Sequence, residues 1–200
     1  MFGKQKEESA SRVPLEEQIS KLAECGLKPL IADVCTRAAE EWGREQLENE
    51  PYDLILTFLG SECEDASGQW RPVSDSIWHL DTECICDADD YVSAAVKLAT
   101  LAHGDLAIED VRAFFEDTAW LEFRFRGQEY HWDLEVSDDW IDTTLIDRFT
   151  ELLVSAGSPR RYCVEKSEGQ DCLILCPTRE EFERLTKLTP LEFEQIGPEW

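Results

Sequence analysis

The sequence predicts an α+β fold: an antiparallel sheet built from hairpins and packed with helices, with ββαββα order in the C-terminal part and a helical N-terminal part. Three observations lead there. Residues 120–136, WLEFRFRGQEYHWDLEV, are two alternating runs around a glycine. Residues 161–176 repeat that arrangement around a Ser-Glu-Gly-Gln turn. The first fifty residues instead carry apolar side chains at helical spacing.

The elements follow in order. Residues 1–12 are polar, lack periodicity and read as a flexible tail. Pro14-Leu15-Glu16-Glu17 suits a first helical turn, with proline early and acids at the positive dipole end. Leu15, Ile19 and Leu22 continue the stripe, and Gly26 stops it. A second helix is expected from about 29 to 47, with Leu30, Val34, Ala38 and Trp42 on one face. The run YDLILTFL (52–59) fits a strand or a buried helix equally well. Residues 60–72 read as a loop, and 76–85 as a strand. The acidic turn 87–90 can cap a helix over about 89–103 that ends at Gly104. Residues 108–115 read as a further short helix. Helices are also expected over 142–156 and after Thr178, where Thr178-Arg179-Glu180-Glu181 matches a capping box. Residues 13–190 make a single domain in which 13–50 can stand as a helical lobe. Residues 191–200 read as an irregular tail.

In the first hairpin, Gly127-Gln128 suits a type II′ turn. That turn sets Arg126 opposite Glu129, Arg124 opposite His131, and Glu122 opposite Asp133. One face is then Leu121, Phe123, Phe125, Tyr130, Trp132 and Leu134, and the other is polar. The Glu122/Asp133 opposition is unfavourable, since like charges at that position destabilise a sheet.

Charge sets the partner class. The 200 residues hold 44 acidic and 19 basic side chains, a net charge of −25. Phosphate backbones and anionic membrane surfaces are repelled by such a chain, so neither nucleic acid nor a membrane is the expected partner. Disorder is not implied, because 42% of residues are hydrophobic and 10% aromatic. Residues 51–150 hold 23 acidic and 6 basic side chains, a net of −17. Solubility needs only about 2–8 charges. The excess becomes useful when a basic partner is captured, because complementary fields speed association.

Motifs of chemistry are sparse. The sequence has no glycine-rich phosphate loop, GxGxxG, HExxH, GxSxG or CxxC. No apolar secretory segment or membrane span stands out, so a cytoplasmic location and free thiols are expected for the eight cysteines. Cys84 and Cys86, with His79 and Cys63 nearby, are soft ligands. In a strand, however, a one-residue gap holds two thiols about 7 Å apart, too wide for one zinc. No metal or cofactor is assigned. His103 sits beside a helix-ending glycine. His131 shares the polar hairpin face with Glu129 and Asp133, and either could partner it as a general base. The plainer alternative is a solvated face laced with ion pairs.

A strongly acidic, motif-free α+β chain with exposed acids around aromatics resembles the bacterial immunity proteins that neutralise polymorphic toxins. The resemblance is one of overall character and covers the whole chain; the segment HWDLEVSDDW (131–140) resembles a signature of uncharacterised bacterial proteins, to which no activity attaches. It implies an acidic cytoplasmic protein that captures a basic protein, such as a toxin domain, and it carries over no catalytic residues. The expected contact residues are Glu122, Asp133, Glu135, Asp138, Asp139 and Trp140. Two other classes remain open: a structural or adaptor domain, and an enzyme using His131 with Asp133 or Glu129.

Overall fold

The computed structural model describes residues 12–167 and 169–200. The expected tail over 1–12 lies outside them except for Arg12, whose guanidinium is 2.6 Å from Glu48. The fold is α+β, with seven helices and three antiparallel sheets of two, four and three strands among the described residues.

Four helices come first: α1 (Leu15–Glu24), α2 (Val34–Trp42), α3 (Arg44–Asn49) and α4 (Leu54–Gly60). The expected continuous helix over 29–47 is split. Gly43 takes φ +80°, a conformation glycine adopts freely, and separates α2 from α3. Pro29 is outside the helix and bridges Ser74. The ambiguous run 52–59 resolves as helix α4. The expected loop 60–72 carries a small hairpin, β1 (Glu62–Glu64) with β2 (Trp70–Pro72).

Strand β3 (Ile77–Asp81) leads to α5 (Ala88–Leu101), which Asp87 and Asp90 close with a capping box. The expected helix over 108–115 is instead strand β4 (Ile108–Phe115). A bulge between Glu109 and Arg112 explains the misreading. It spaces the inward residues Ile108, Val111 and Phe115 at i, i+3 and i+7, which imitates a helical stripe. The C-terminal order is therefore βββα rather than ββα at this point: β4 pairs with β5 (Ala119–Phe125), and β5 with β6 (Gln128–Leu134). Helix α6 (Thr144–Ser155), strands β7 (Cys163–Glu165) and β8 (Asp171–Leu175), and helix α7 (Arg179–Leu188) follow as expected. Thr178 completes its capping box with Glu181. The 191–200 segment is not wholly irregular, because β9 (Phe193–Gln195) pairs with β7 through backbone groups that the sequence pattern does not reveal.

The four-stranded sheet, ordered β3-β8-β7-β9, is buried on both faces. Trp78, Leu80, Ile174 and Cys176 on one face join a core with α5, α6 and the inner residues of the three-stranded sheet. There Phe123 stacks on Phe149 at 5.6 Å, and Trp132 meets Phe149 edge-on at 5.1 Å. Ile77, Cys163, Leu173 and Leu175 on the other face join a second core with Leu15, Leu22, Leu47 and Leu185. Residues 13–50 thus cover a sheet face and share a core with the C-terminal strands, rather than closing a core of their own.

Candidate functional site

The first hairpin turns on Arg126 and Gly127, whose φ values are +51° and +79°. Two successive positive φ values define a type I′ turn, whose twist matches that of the flanking strands. The register is accordingly two residues away from the one a Gly127-Gln128 turn sets: Arg124 faces Glu129, Glu122 faces His131, and Trp120 faces Asp133. A shift of two preserves both faces, because strand side chains alternate with period two. It abolishes the expected Glu122/Asp133 opposition.

The outward face of the three-stranded sheet is a grid. One row runs Glu109, Arg124, Glu129; the next runs Arg112, Glu122, His131; the third runs Phe114, Trp120, Asp133. Arg124 Nη2 lies 2.8 Å from Glu109 and 2.9 Å from Asp110. The bulge aims both acids at it, with Asp110 at φ +53°. Arg112 lies 3.3 Å from Glu122. His131 stands between two carboxylates, with Nδ1 2.9 Å from Glu122 and Nε2 3.4 Å from Asp133. Glu122, and then Asp133, hold the imidazole pKa above its ordinary value by favouring the charged ring. A carboxylate at each nitrogen favours the ring with both nitrogens protonated over one that offers a lone pair. Glu129, the other partner considered for His131, faces Arg124. A cleft of about 350 Å³ opens on this face. Its charges are largely matched internally.

The unmatched acid lies at the neighbouring end of the molecule. Asp81 is directly paired with Asp171 across β3 and β8, a like-charge opposition eased where Asp81 accepts from the Glu83 N–H at 3.0 Å and the Gln170 side-chain amide at 3.1 Å, and where His79 lies 3.8 Å from Asp171. Beyond Asp81 the chain runs beside the loop after β6. The Ile85 N–H donates to Asp139 O, the Ile141 N–H donates to Thr82 O, and Glu83 bridges Trp140. This joins the two stretches 72–96 and 127–147, neither of which contains a lysine or arginine. Asp142 holds the loop in shape: its buried carboxylate accepts from the Glu135 N–H at 3.0 Å and the Thr144 N–H at 2.9 Å. The Trp140 N–H closes a turn onto Ser137 O, with Asp138 at φ +55°.

Glu135, Asp138 and Asp139 are therefore exposed on one fixed loop around Trp140, which is 41% exposed, and Val136, 37% exposed. Glu83, Asp87 and Asp89 lie on the adjoining segment. None of these six acids makes an ion pair among the described residues. Of the expected contact residues, the structure brings Glu135, Asp138, Asp139 and Trp140 together. Asp133 is on the sheet face with its side chain 94% exposed. Glu122 is committed to Arg112 and His131. The reading from sequence missed Glu83, Asp87 and Asp89. The lysine- and arginine-free run 72–96 was the signal that could have found them.

Burial raises the thiol pKa values of Cys84 and Cys172 to about 11 and of Cys163 to about 12, and it raises Cys176 as well. Among the described residues, no three His, Cys, Asp or Glu side chains converge as a metal ion requires. No described helix is long and apolar enough to cross a membrane. No family model, no curated protein and no solved structure matches the chain.

Proposed function

We propose that the chain is a cytoplasmic binding protein that captures a basic protein and neutralises it, as toxin-immunity proteins do. The observation that carries this reading is the hydrogen-bonded junction of two segments without lysine or arginine around exposed Trp140. Unpaired acids raise the rate at which a basic surface arrives, and a central aromatic gives it an anchor. A Lys or Arg from the partner can lie over the Trp140 ring while the surrounding carboxylates take its charge.

Poly-L-lysine and a folded basic enzyme such as lysozyme serve as probes, titrated against the full chain at low and high salt. Two variants of equal charge separate a site from bulk attraction. One carries Glu83→Gln, Glu135→Gln, Asp138→Asn and Asp139→Asn. The other neutralises exposed Glu40, Glu41, Glu45 and Glu50 on the N-terminal helices. The loop variant is expected to lose about tenfold in association rate and the control far less. Equal losses from the two variants would overturn the reading.

A further inference from the structure

A hollow of about 210 Å³ lies between α4, the β1–β2 hairpin, β3 and the last turns of α5. Ile77, Trp78, Val96 and Leu101 give it an apolar lining, and Asp75 adds a carboxylate beside that of Glu62. Its wall is fixed by backbone: a Cβ on Gly60 would fall 2.6 Å from the His79 nitrogen, so only glycine lets α4 end this close to β3. At the rim, Lys97 Nζ lies 2.9 Å from Glu62 and 5.5 Å from the centre of the Trp78 ring. Lys97 is the only lysine or arginine between Arg71 and Arg112.

We propose that this hollow binds a small zwitterion with an apolar side chain, a free α-amino acid of the phenylalanine or leucine type. Size points to a small ligand, since pockets for drug-sized molecules run from about 300 Å³ upward. The apolar lining takes the side chain, with Trp78 as its flat surface. The rim decides the head group. Lys97 and Glu62 already satisfy each other. A simple carboxylate would draw Lys97 away and leave Glu62 without a partner, and a simple amine would find the rim acids but gain nothing from Lys97. A zwitterion pairs its carboxylate with Lys97 and its ammonium with the rim acids Glu62 and Asp75, so both of its own charges are met.

The test follows the Trp78 indole and Thr100 amide signals of the full chain by NMR during titration with L-phenylalanine. Phenylacetate, phenethylamine and N-acetyl-phenylalaninamide are titrated in parallel. L-phenylalanine is expected to give saturable shifts and to bind about three- to fivefold more tightly than either singly charged analogue, as suits ion pairs some 40% exposed. Lys97→Met should erase the preference over phenethylamine, Glu62→Gln should shrink the preference over phenylacetate, and Thr100→Phe, on an exposed helix position, should fill the hollow and abolish binding. The proposal is overturned if no probe saturates. It is also overturned if a singly charged analogue binds as well as the amino acid. Equal binding of the capped amide would overturn it too, and would mark the hollow as a socket for a side chain within a peptide.

Discussion

Glu122 and His131 face each other across β5 and β6, with the carboxylate Oε1 2.9 Å from the imidazole Nδ1. Asp133 approaches the other ring nitrogen, and Arg112 approaches Glu122 from β4. The His131 pKa is raised, chiefly by Glu122. A raised folded pKa contributes stability that is complete below the unfolded value, 6.5, and fades as pH climbs through the folded one. The His131 ring signal should therefore titrate above 6.5, and Glu122→Gln should lower its midpoint. The gap in urea midpoint between the native chain and His131→Gln should narrow as pH rises from about 6 to about 8. A gap that widens would reverse the assignment.

The type I′ turn places an arginine where asparagine or glycine is preferred. Left-handed backbone at a non-glycine residue is unfavourable by about 1–2 kcal/mol. Arg126→Asn should relieve part of this, since Arg126 makes only an exposed contact to Ala156 O and a cation–π contact with Phe125. A gain of about 0.5–1 kcal/mol in urea unfolding is expected. Gly127→Ala, at φ +79°, should move stability the other way.

Gln18 is fully buried and fully used. Its amide donates to Val13 O and Leu47 O, each at 2.8 Å, and its carbonyl accepts from the Tyr52 N–H at 2.9 Å. It also helps hold Tyr52 at φ +68°. Gln18→Leu keeps the volume but strands buried backbone groups in α3 and before α4. A loss of about 2–4 kcal/mol in chemical denaturation is expected. A loss below about 0.5 kcal/mol, the range of surface substitutions, would contradict this account.

The acids of the 135–139 loop repel one another without internal compensation. Neutralising Glu135, Asp138 and Asp139 together should raise the urea midpoint at low salt. The advantage should shrink at high salt, where screening weakens the repulsion. A destabilised variant would show that these side chains hold the loop, a task assigned here to Asp142.

Thiol chemistry should separate by burial. Cys86 is exposed, whereas Cys163 and Cys176 are buried with their thiols held protonated by desolvation. Ellman's reagent on the native chain should modify Cys86 first. Cys163 and Cys176 should react only as fast as the chain unfolds, and peptide mapping of a time course checks the order.

Legibility in the sequence followed periodicity. The α+β class, the first hairpin's two faces, the Thr178 capping box and the acidic cap before α5 could be read from the chain, because each rests on local spacing. The errors came from single backbone conformations. Arg126 at positive φ moved the turn by one position and so converted Glu122/Asp133 into Glu122/His131. The bulge at Asp110 disguised β4 as a helix, and Gly43 split another helix. The like-charge opposition expected in the hairpin occurs instead at Asp81/Asp171, a pairing between strands about ninety residues apart that no local pattern encodes. The candidate site was half legible for the same reason. Its 135–140 loop is one segment, but its partner segment 82–89 reaches it only through the tertiary fold.

Strand β7 lies between β8 and β9, and the core beneath it joins Leu15 and Leu22 to Leu173, Leu185 and Phe193. Helices α1 to α4 therefore lack most of the sheet face they cover until nearly the whole described chain has been synthesised. Contacts of such long sequence separation slow folding. A nascent chain halted before β7 and β8 would leave apolar residues of α1 and α4 uncovered, and that waiting interval is when the protein is most open to chaperones and to aggregation.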